Sequence, residues 1–450
     1  MPFKKNNFKD GFKKILANTG FLFGEKAVNI ALSLAVSIYV ARYLGPNDYG
    51  LLQYGQSIIQ LFMAIAGLGL QNIVVRDLVD LPDQREGDIL GTSFVLTLLI
   101  GSILMVVCIL VGVVGHSDLA TKWIIIIFSL KLVLQSFKIF DYWFQSKVLS
   151  KYSVFGRISG RILSSCIKIL LIVFSFSVIY FAAAIIFGIF VQSVVWVINF
   201  KNLNKGIIDE WKIDFAYAKS LLKDAWPLIL SGLSVAIYMK IDQTMLKNMV
   251  SASAVGNYAV AVKVTELWYF IPMSLASSVY PSIIKSKKES LEKYLRRLQY
   301  LYDVMAGIGL LIALPMTFLS DFAINLVFGS EYNQAGAVLA IHIWSGIFVF
   351  LGVARSRWII NENYQQTGMY FAIGGAVANV VLNIWLIPLM GILGAAWATI
   401  ASQALSAWLL AFFVNKTRIS FYMLGRAIIR AMLIYPAIKS VKKIIDEAQQ

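Results

Sequence analysis

Eight cations stand inside stretches of chain that are otherwise apolar. Arg157, Arg161 and Lys168 follow one another at separations of four and seven, which sets all three on one face of a helix. Lys131 and Lys138 flank Gln135 at separations of four and three, again on one face. Lys240, Lys263 and Lys26 stand singly in three further stretches. A Lys or Arg at the centre of a hydrocarbon layer costs ~2.5–3.5 kcal/mol even on the most lenient scale. Most of these side chains must therefore face a water-filled cavity, and a cavity lined with cations expects an anion. Arg suits phosphate through its bidentate fork, and Lys acts as a point charge. Arg157 lies near the end of its stretch, where snorkelling to the interface explains it equally well. Lys26 and Lys240 fit equally a role as bundle glue paired with neighbours.

Four acids lie within or at the ends of such stretches: Glu25, Asp141, Asp242 and Glu266. An acid there is a charge partner, a proton carrier or a sodium ligand. Lys263 and Glu266 are three residues apart and are expected to pair with each other. Asp242 is flanked by Lys240 in a stretch that otherwise reads apolar, so Asp242 and Glu25 are the preferred ion-coupling residues and Glu266 reads as structural. His342 titrates near neutral pH if exposed, but a histidine in such a position is more often a packing residue. Tyr142, Trp143, Trp268 and Tyr269 have faces suited to sugar stacking, although interfacial anchoring is the commoner role. No phosphate-binding glycine loop, HExxH, cysteine cluster or GxSxG is present, so neither ATP hydrolysis nor another catalytic constellation is legible. No cofactor is implied beyond a coupling ion, Na+ or H+.

The elements that must position these residues follow from composition. With 59% hydrophobic and 14% charged residues among 450, the chain falls far below the quarter charged that marks a soluble domain. A span needs ~20 apolar residues, and twelve such spans are expected: 15–41, 49–75, 89–114, 119–144, 153–174, 178–200, 226–249, 254–284, 299–320, 333–354, 367–388 and 391–414. Strand alternation is absent, so the fold class is an all-α integral membrane bundle. Of the 40 Lys/Arg, 29 fall in alternate gaps and both tails, three (Arg42, Lys122, Lys247) in the gaps on the other side or at the span ends that border them, and eight deeper inside the spans. Lys/Arg-rich loops stay in the cytoplasm, so both termini are expected there. The net charge of +16 thus reads as juxtamembrane attraction to anionic lipid and not as nucleic-acid affinity. The expected organisation is a cytoplasmic amphipathic N-terminus (1–14), an N-lobe of spans 1–6 (15–200), a cytoplasmic linker (201–225), a C-lobe of spans 7–12 (226–414) and a cytoplasmic or interfacial tail (415–450). Within the tail, residues 418–438 carry Arg426 and Arg430 mid-segment, which favours an interfacial amphipathic helix.

The halves also look alike. ARYLGPNDYGLLQYGQS (41–57) matches KNMVSASAVGNYAVAVK (247–263) when Gly50 is set on Gly256, an offset of 206 residues. The same offset sets Ala66-Gly67 opposite Pro272-Met273, predicting a soft point at matching depth in spans 2 and 8. Repeated halves with interrupted helices mark secondary transporters, with the substrate site between them.

ARYLGPNDYGLL (41–52), IDQTML (241–246), VGNYAVAVKVTELWYFIP (255–272), SLASSVYPSI (274–283) and FGSEYNQA (328–335) resemble polysaccharide biosynthesis flippases of the Wzx type. That group belongs to a superfamily shared with lipid II flippases and multidrug and toxin extruders. FDYWFQSK (140–147) is also similar, although the family often has Gly-Leu-Glu after the Gln where this chain has Ser146-Lys147. The resemblance covers residues 15 to 415. It implies two six-helix lobes forming an inward-open V, in a bacterial cytoplasmic (inner) membrane. It implies a flippase for oligosaccharide repeat units on polyprenyl pyrophosphate, moved to the outer leaflet for O-antigen or capsule assembly. Its partners would be this lipid-linked oligosaccharide, membrane lipids, and a polysaccharide polymerase with chain-length proteins. One rival is a drug/cation antiporter of the same fold, which should have an acidic cavity where here cations outnumber acids. Another is a membrane-embedded polymerase or ligase, which needs a large outer loop, and the longest outer gap is 321–332. An unrelated six-plus-six sugar transporter is a third, but RDLVDLPDQREGD (76–88) lacks the Gly-Arg pattern of the major facilitator loop.

Overall fold

The computed structural model describes residues 5–115, 118–204 and 211–433, with side chains from Leu32 onward and Asp83 excepted. These residues form sixteen α-helices joined by short turns and 3-10 segments, with no strand among the described residues. In chain order they are α1 (Lys5–Ala66), α2 (Leu70–Asp80), α3 (Glu86–Val114), α4 (Leu119–Leu134), α5 (Lys138–Ser146), α6 (Ser150–Val173), α7 (Val178–Leu203) and α8 (Phe215–Met249). There follow α9 (Ala252–Glu266), α10 (Phe270–Lys287), α11 (Leu291–Phe328), α12 (Ala335–His342), α13 (Ser345–Asn361), α14 (Gln365–Met390), α15 (Ile392–Ala407) and α16 (Arg418–Met432). Long Leu/Ile/Val/Phe runs adopt helix because a helix satisfies every backbone N–H and C=O within its own segment, which hydrocarbon demands.

Ten helical stretches among the described residues are long and apolar enough to cross a membrane, and the chain is a multi-pass membrane protein. The expected count was twelve. The first of the ten, Leu32–Asp80, is broken at Gly45 (φ 65°) and again at Leu68 and Gly69 (φ 50° and 61°). α6 stands where the fifth span was expected, but its four cations, Lys151, Arg157, Arg161 and Lys168, keep it out of the ten.

Two compact units divide the chain. The first comprises Met1–Leu44 and Leu51–Leu233; the second comprises Gly45–Gly50 and Ser234–Gln450. In the first unit a buried cluster joins Ile73 and Val74 of α2, Phe140, Trp143 and Phe144 of α5, Trp196 and Phe200 of α7, and Tyr217, Leu221 and Ala225 of α8. The expected linker 201–225 is therefore corrected where it is described. α7 runs on to Leu203, and α8 begins at Phe215 and packs into this core. The start of α8 is capped by Asp214, whose Oδ1 accepts from the backbone N–H of Tyr217 (3.0 Å) and Ala216 (2.9 Å) while Oδ2 accepts from Arg85 (2.6 Å). The backbone N–H of Tyr217 first, then that of Ala216 and the Arg85 guanidinium, hold this carboxyl below the usual carboxylate range. α6 and α7 pack backbone to backbone: a Cβ on Gly160 would strike the Gly188 carbonyl, as small-residue helix contacts in membranes allow.

In the second unit the segment Gly45–Gly50 lies against the start of α9. A Cβ on Gly50 would strike Ala252, and one on Gly256 would strike the Pro46 carbonyl. The two glycines set opposite each other by the internal repeat thus meet in space. The first expected soft point is a break in the helix, whereas Pro272-Met273 lies inside α10 and the interruption falls just before it. α1 ends at Ala66 before residues of positive φ, whereas α9 ends at Glu266 in a 3-10 turn, Leu267–Tyr269, upstream of Pro272. α13 continues to Asn361, beyond the span end expected at 354. α16 is too short to span at 15 residues. It buries Ser420, Met423, Leu424, Ala427 and Ala431 on one stripe against α11. Residues 434–438 of the expected amphipathic segment lie outside the described residues.

Candidate functional site

In the first unit α2, α5, α6 and α7 enclose a cavity of about 410 Å3. Its wall carries Lys138 and Asp141 of α5, Arg157 of α6, and three glutamines, Gln71, Gln145 and Gln192. The polar groups form a chain. Gln71 Nε2 donates to Gln145 Oε1 (3.1 Å), and Gln145 Nε2 donates to Asp141 Oδ2 (3.0 Å). Arg157 Nη1 donates to Asp141 Oδ1 and Oδ2 at 3.1 and 3.3 Å. The Lys138 ammonium makes no hydrogen bond or ion pair with a described residue, though it feels Asp141, Arg157 and Lys131 electrostatically. With Arg157 balanced by Asp141, the wall keeps one uncompensated positive charge, on Lys138. Such a wall is rich in amides that donate and accept, and attracts an anion or an oxygen-rich polar group.

Of the expected cations, Lys138 and Arg157 reach this cavity, and Lys131 lies within the field of Lys138. Arg161 instead donates to Ser33 Oγ of α1 at 3.0 Å, and Lys168 stands farther along α6 beyond the cavity wall. Arg157 does not snorkel alone, because Asp141 holds it. Tyr142 and Trp143 are buried, with Trp143 Nε1 bonded to Glu86 Oε2 at 3.2 Å, so Trp143 packs in the core and does not face a sugar. Trp268 and Tyr269 form the 3-10 turn after α9. Glu25 and Lys26 lie outside the residues whose side chains are described.

The second unit holds the other candidates. Asp242, 2% exposed, accepts from Tyr258 Oη (2.7 Å), Thr399 Oγ1 (2.6 Å) and Asn383 Nδ2 (2.6 Å). Asn383 Nδ2 also donates to Asn379 Oδ1 (3.2 Å), while Asn383 Oδ1 is buried and accepts no hydrogen bond. Asn379 and Asn383 sit one turn apart on α14, and Gly391, at φ 57°, turns the chain so that α15 returns beside them, Asn379 Nδ2 donating to Ser402 Oγ at 3.2 Å. The neighbour Lys240 does not pair with Asp242; its Nζ bonds Glu266 Oε1 at 3.0 Å. The expected Lys263–Glu266 pair is thereby corrected: Lys263 donates to the Tyr49 hydroxyl at 3.0 Å. His342 is a buried packing residue, bonded to Thr265 Oγ1 at 3.1 Å and edge-on to Tyr258. One carboxylate, two amide oxygens and a hydroxyl are hard oxygen donors, suited to an alkali cation or a proton and not to a soft metal. No group of three His, Cys, Asp or Glu able to hold a metal occurs among the described residues.

The polysaccharide biosynthesis protein family profile matches residues 15–287. The chain belongs to this polysaccharide biosynthesis protein family. The MatE family profile also matches residues 227–385. The chain is similar to "Probable flippase AglR" of Haloferax volcanii, 23% identical over 88% of this chain and 82% of that one. It is also similar to the capsular polysaccharide biosynthesis protein CapF of Staphylococcus aureus, 20% identical over 86% and 96%. Its fold matches an inward-facing multidrug resistance MATE family transporter of the MOP superfamily (TM-score 0.74, 15% identity, 87% and 94% covered). It likewise matches the lipid II flippase MurJ in an inward closed conformation (TM-score 0.70, 15% identity, 96% of each chain).

In this polysaccharide biosynthesis protein the sequence reading missed residues of three kinds. The glutamines Gln71, Gln145 and Gln192 and the asparagines Asn379 and Asn383 are uncharged. The spacing of four between Asn379 and Asn383 inside an apolar span was the available signal. Asp303, 1% exposed and bound to Arg430 at 2.8 Å, lay within an expected span and was passed over. Arg355 fell in an expected gap because its span was ended at 354, whereas α13 runs on to Asn361.

Proposed function

We propose that this chain is a flippase that moves oligosaccharide repeat units on polyprenyl pyrophosphate from the cytoplasmic to the outer leaflet by alternating access. The carrying observation is the cavity of the first unit, lined by three glutamines and left with the net positive charge of Lys138. An anionic, sugar-bearing head group is the cargo whose chemistry such a wall matches, and an oily tail needs no cavity because lipid solvates it. Lys131, Arg161 and Lys168 extend the cationic character along α4 and α6 and are read as contacts along the path of the pyrophosphate. Family membership and the names of AglR and CapF support the reading. In this reading Asp242, with Asn379, Asn383 and Thr399, takes the coupling ion, Na+ or H+. The chain works as a transporter and not as an enzyme, in the cytoplasmic membrane with both termini inside. It hands its cargo to a polymerase and its chain-length partners.

The test is surface glycan in cells whose own flippase has been deleted, with protein abundance measured in parallel. Lys138→Ala is expected to abolish surface glycan at normal abundance, and Arg161→Lys to rescue only partly what Arg161→Ala loses. Normal glycan in a Lys138→Ala, Arg161→Ala double variant would overturn the head-group reading. A second reading is favoured by one observation: Asp242 is an acid without a cation partner, in the part matched by MatE. That reading, a drug/cation antiporter, requires export of a cationic dye that depends on Asp242 and is indifferent to Lys138.

A further inference from the structure

Arg355 lies in mid-helix on α13 and is 5% exposed. Its Nη2 donates to the Ser406 carbonyl at 2.7 Å, and its guanidinium carbon sits 5.0 Å from the centre of the Phe371 ring. Nε and Nη1 are buried and have no hydrogen-bond partner among the described residues. No described carboxylate lies within ion-pair distance of it. A lysine in such a place escapes by losing its proton, but a guanidinium keeps its charge and can only donate. Stable burial of that charge requires a counter-charge or a set of acceptors.

The neighbours are hydroxyls. Tyr302 of α11 and Tyr238 of α8 lie within electrostatic reach of Arg355. The Tyr302 hydroxyl is buried close to the Ser420 hydroxyl of α16, but the two do not meet in hydrogen-bonding geometry. Three helices, α11, α13 and α16, thus bring donors that no described residue satisfies. We propose that Arg355, with Tyr302 and Ser420, forms a binding site in the second unit for an oxyanion of the phosphate class. A phosphate group presents oxygens in several directions, which suits donors arriving from separate helices; a carboxylate presents two in one plane. Phe371 keeps the guanidinium flat against its ring and so fixes the direction of the free N–H groups. The source of the phosphate is either a phospholipid head group or a free phosphate or pyrophosphate.

The experiment uses the purified full-length protein carrying Lys138→Ala, so that the first unit's cavity contributes little. Thermal unfolding is followed in sodium phosphate, pyrophosphate and chloride at matched ionic strength. It is also followed in phosphatidylcholine vesicles with and without phosphatidylglycerol. A rise in midpoint with phosphate or pyrophosphate beyond that with chloride identifies the free anion; a rise with phosphatidylglycerol alone identifies the head group. In either case Arg355→Gln is expected to remove the rise, and Arg355→Lys to weaken the apparent affinity about tenfold. No rise beyond chloride in any arm overturns the proposal, as does a rise that survives Arg355→Gln. Should Arg355→Gln fail to fold, Tyr302→Phe decides: a weakened phosphate response supports the site and an undiminished one overturns it. The readout is binding, so its outcome is independent of whether Lys138 serves export.

Discussion

Asp242 accepts three hydrogen bonds from neutral donors and meets no cation among the described residues. Lys240 stands two positions away, about 200° around the helix, and pairs with Glu266 instead. The two acids therefore have separable effects. Asp242→Asn strands no lysine, so abundance should stay near that of the parent while transport in reconstituted vesicles stops responding to an imposed sodium or proton gradient. An Asn variant that follows the gradient as the parent does would remove Asp242 from the coupling role. Glu266→Gln should do the reverse, lowering the unfolding midpoint while sparing the gradient response. The Lys240–Glu266 pair is 24% and 31% exposed, so its loss costs about 1 kcal/mol or less. At this scale the sequence made charges legible and amides not, because Gln71, Gln192, Asn379 and Asn383 gain meaning only once their neighbours are known. Partners were legible only at helical spacing. Asp141 and Arg157 are 16 residues apart on different helices, and Lys263–Glu266, correctly spaced, lost to contacts from other elements.

Helices were legible because apolar length decides them, while their ends were not. α7, α11 and α13 all run past their apolar stretches, since Lys, Glu, Asn and Arg are tolerated in a helix once it has started. α16 shows what holds a helix too short to span. Its apolar stripe lies on α11, Gln299 Nε2 of α11 donates to the Met423 carbonyl at 2.9 Å, and Arg430 reaches the buried carboxylate of Asp303. Arg430→Ala takes the guanidinium from that carboxylate and should cost about 2–4 kcal/mol. Asp303→Asn leaves Arg430, 36% exposed, free to turn to solvent and should cost about 1 kcal/mol. The order of the two costs, read as unfolding midpoints and as proteolytic release of the C-terminal segment, is the check; the opposite order would mean that Arg430 does not hold α16. The Gly50 and Gly256 contact gives a second test. Gly256→Ala forces a methyl into the Pro46 carbonyl and should cost about 1–3 kcal/mol. Because Gly50→Ala disturbs the same contact, the double variant should lose less than the two losses added together.

The distribution of charge is a property of the whole chain that no single residue carries. Similarity to solved structures survives at 15% identity because a membrane bundle asks only for apolar length, small residues where helices touch and Lys/Arg on one side. The last of these carries the orientation proposed for the chain: 29 Lys/Arg against three would set both tails and the 285–298 gap in the cytoplasm. In that orientation residue 47, next to the break at Gly45, is expected to face outward, and Asn47 is exposed. Cys108 is buried and Cys166 exposed, so the measurement starts from Cys166→Ser. In that background Asn47→Cys should react with a membrane-impermeant maleimide on intact cells. Lys288→Cys, exposed at the end of α10, should react only after the membrane is opened. Both reacting from outside would mean that one of the two loops has been assigned to the wrong side. A full exchange of the two patterns would invert the chain. The cavity of Lys138 and Arg157, which lies toward the Lys/Arg-rich end of α5 and α6, would then load from the outer leaflet, and the direction of transport proposed for the chain would have to be reversed with it.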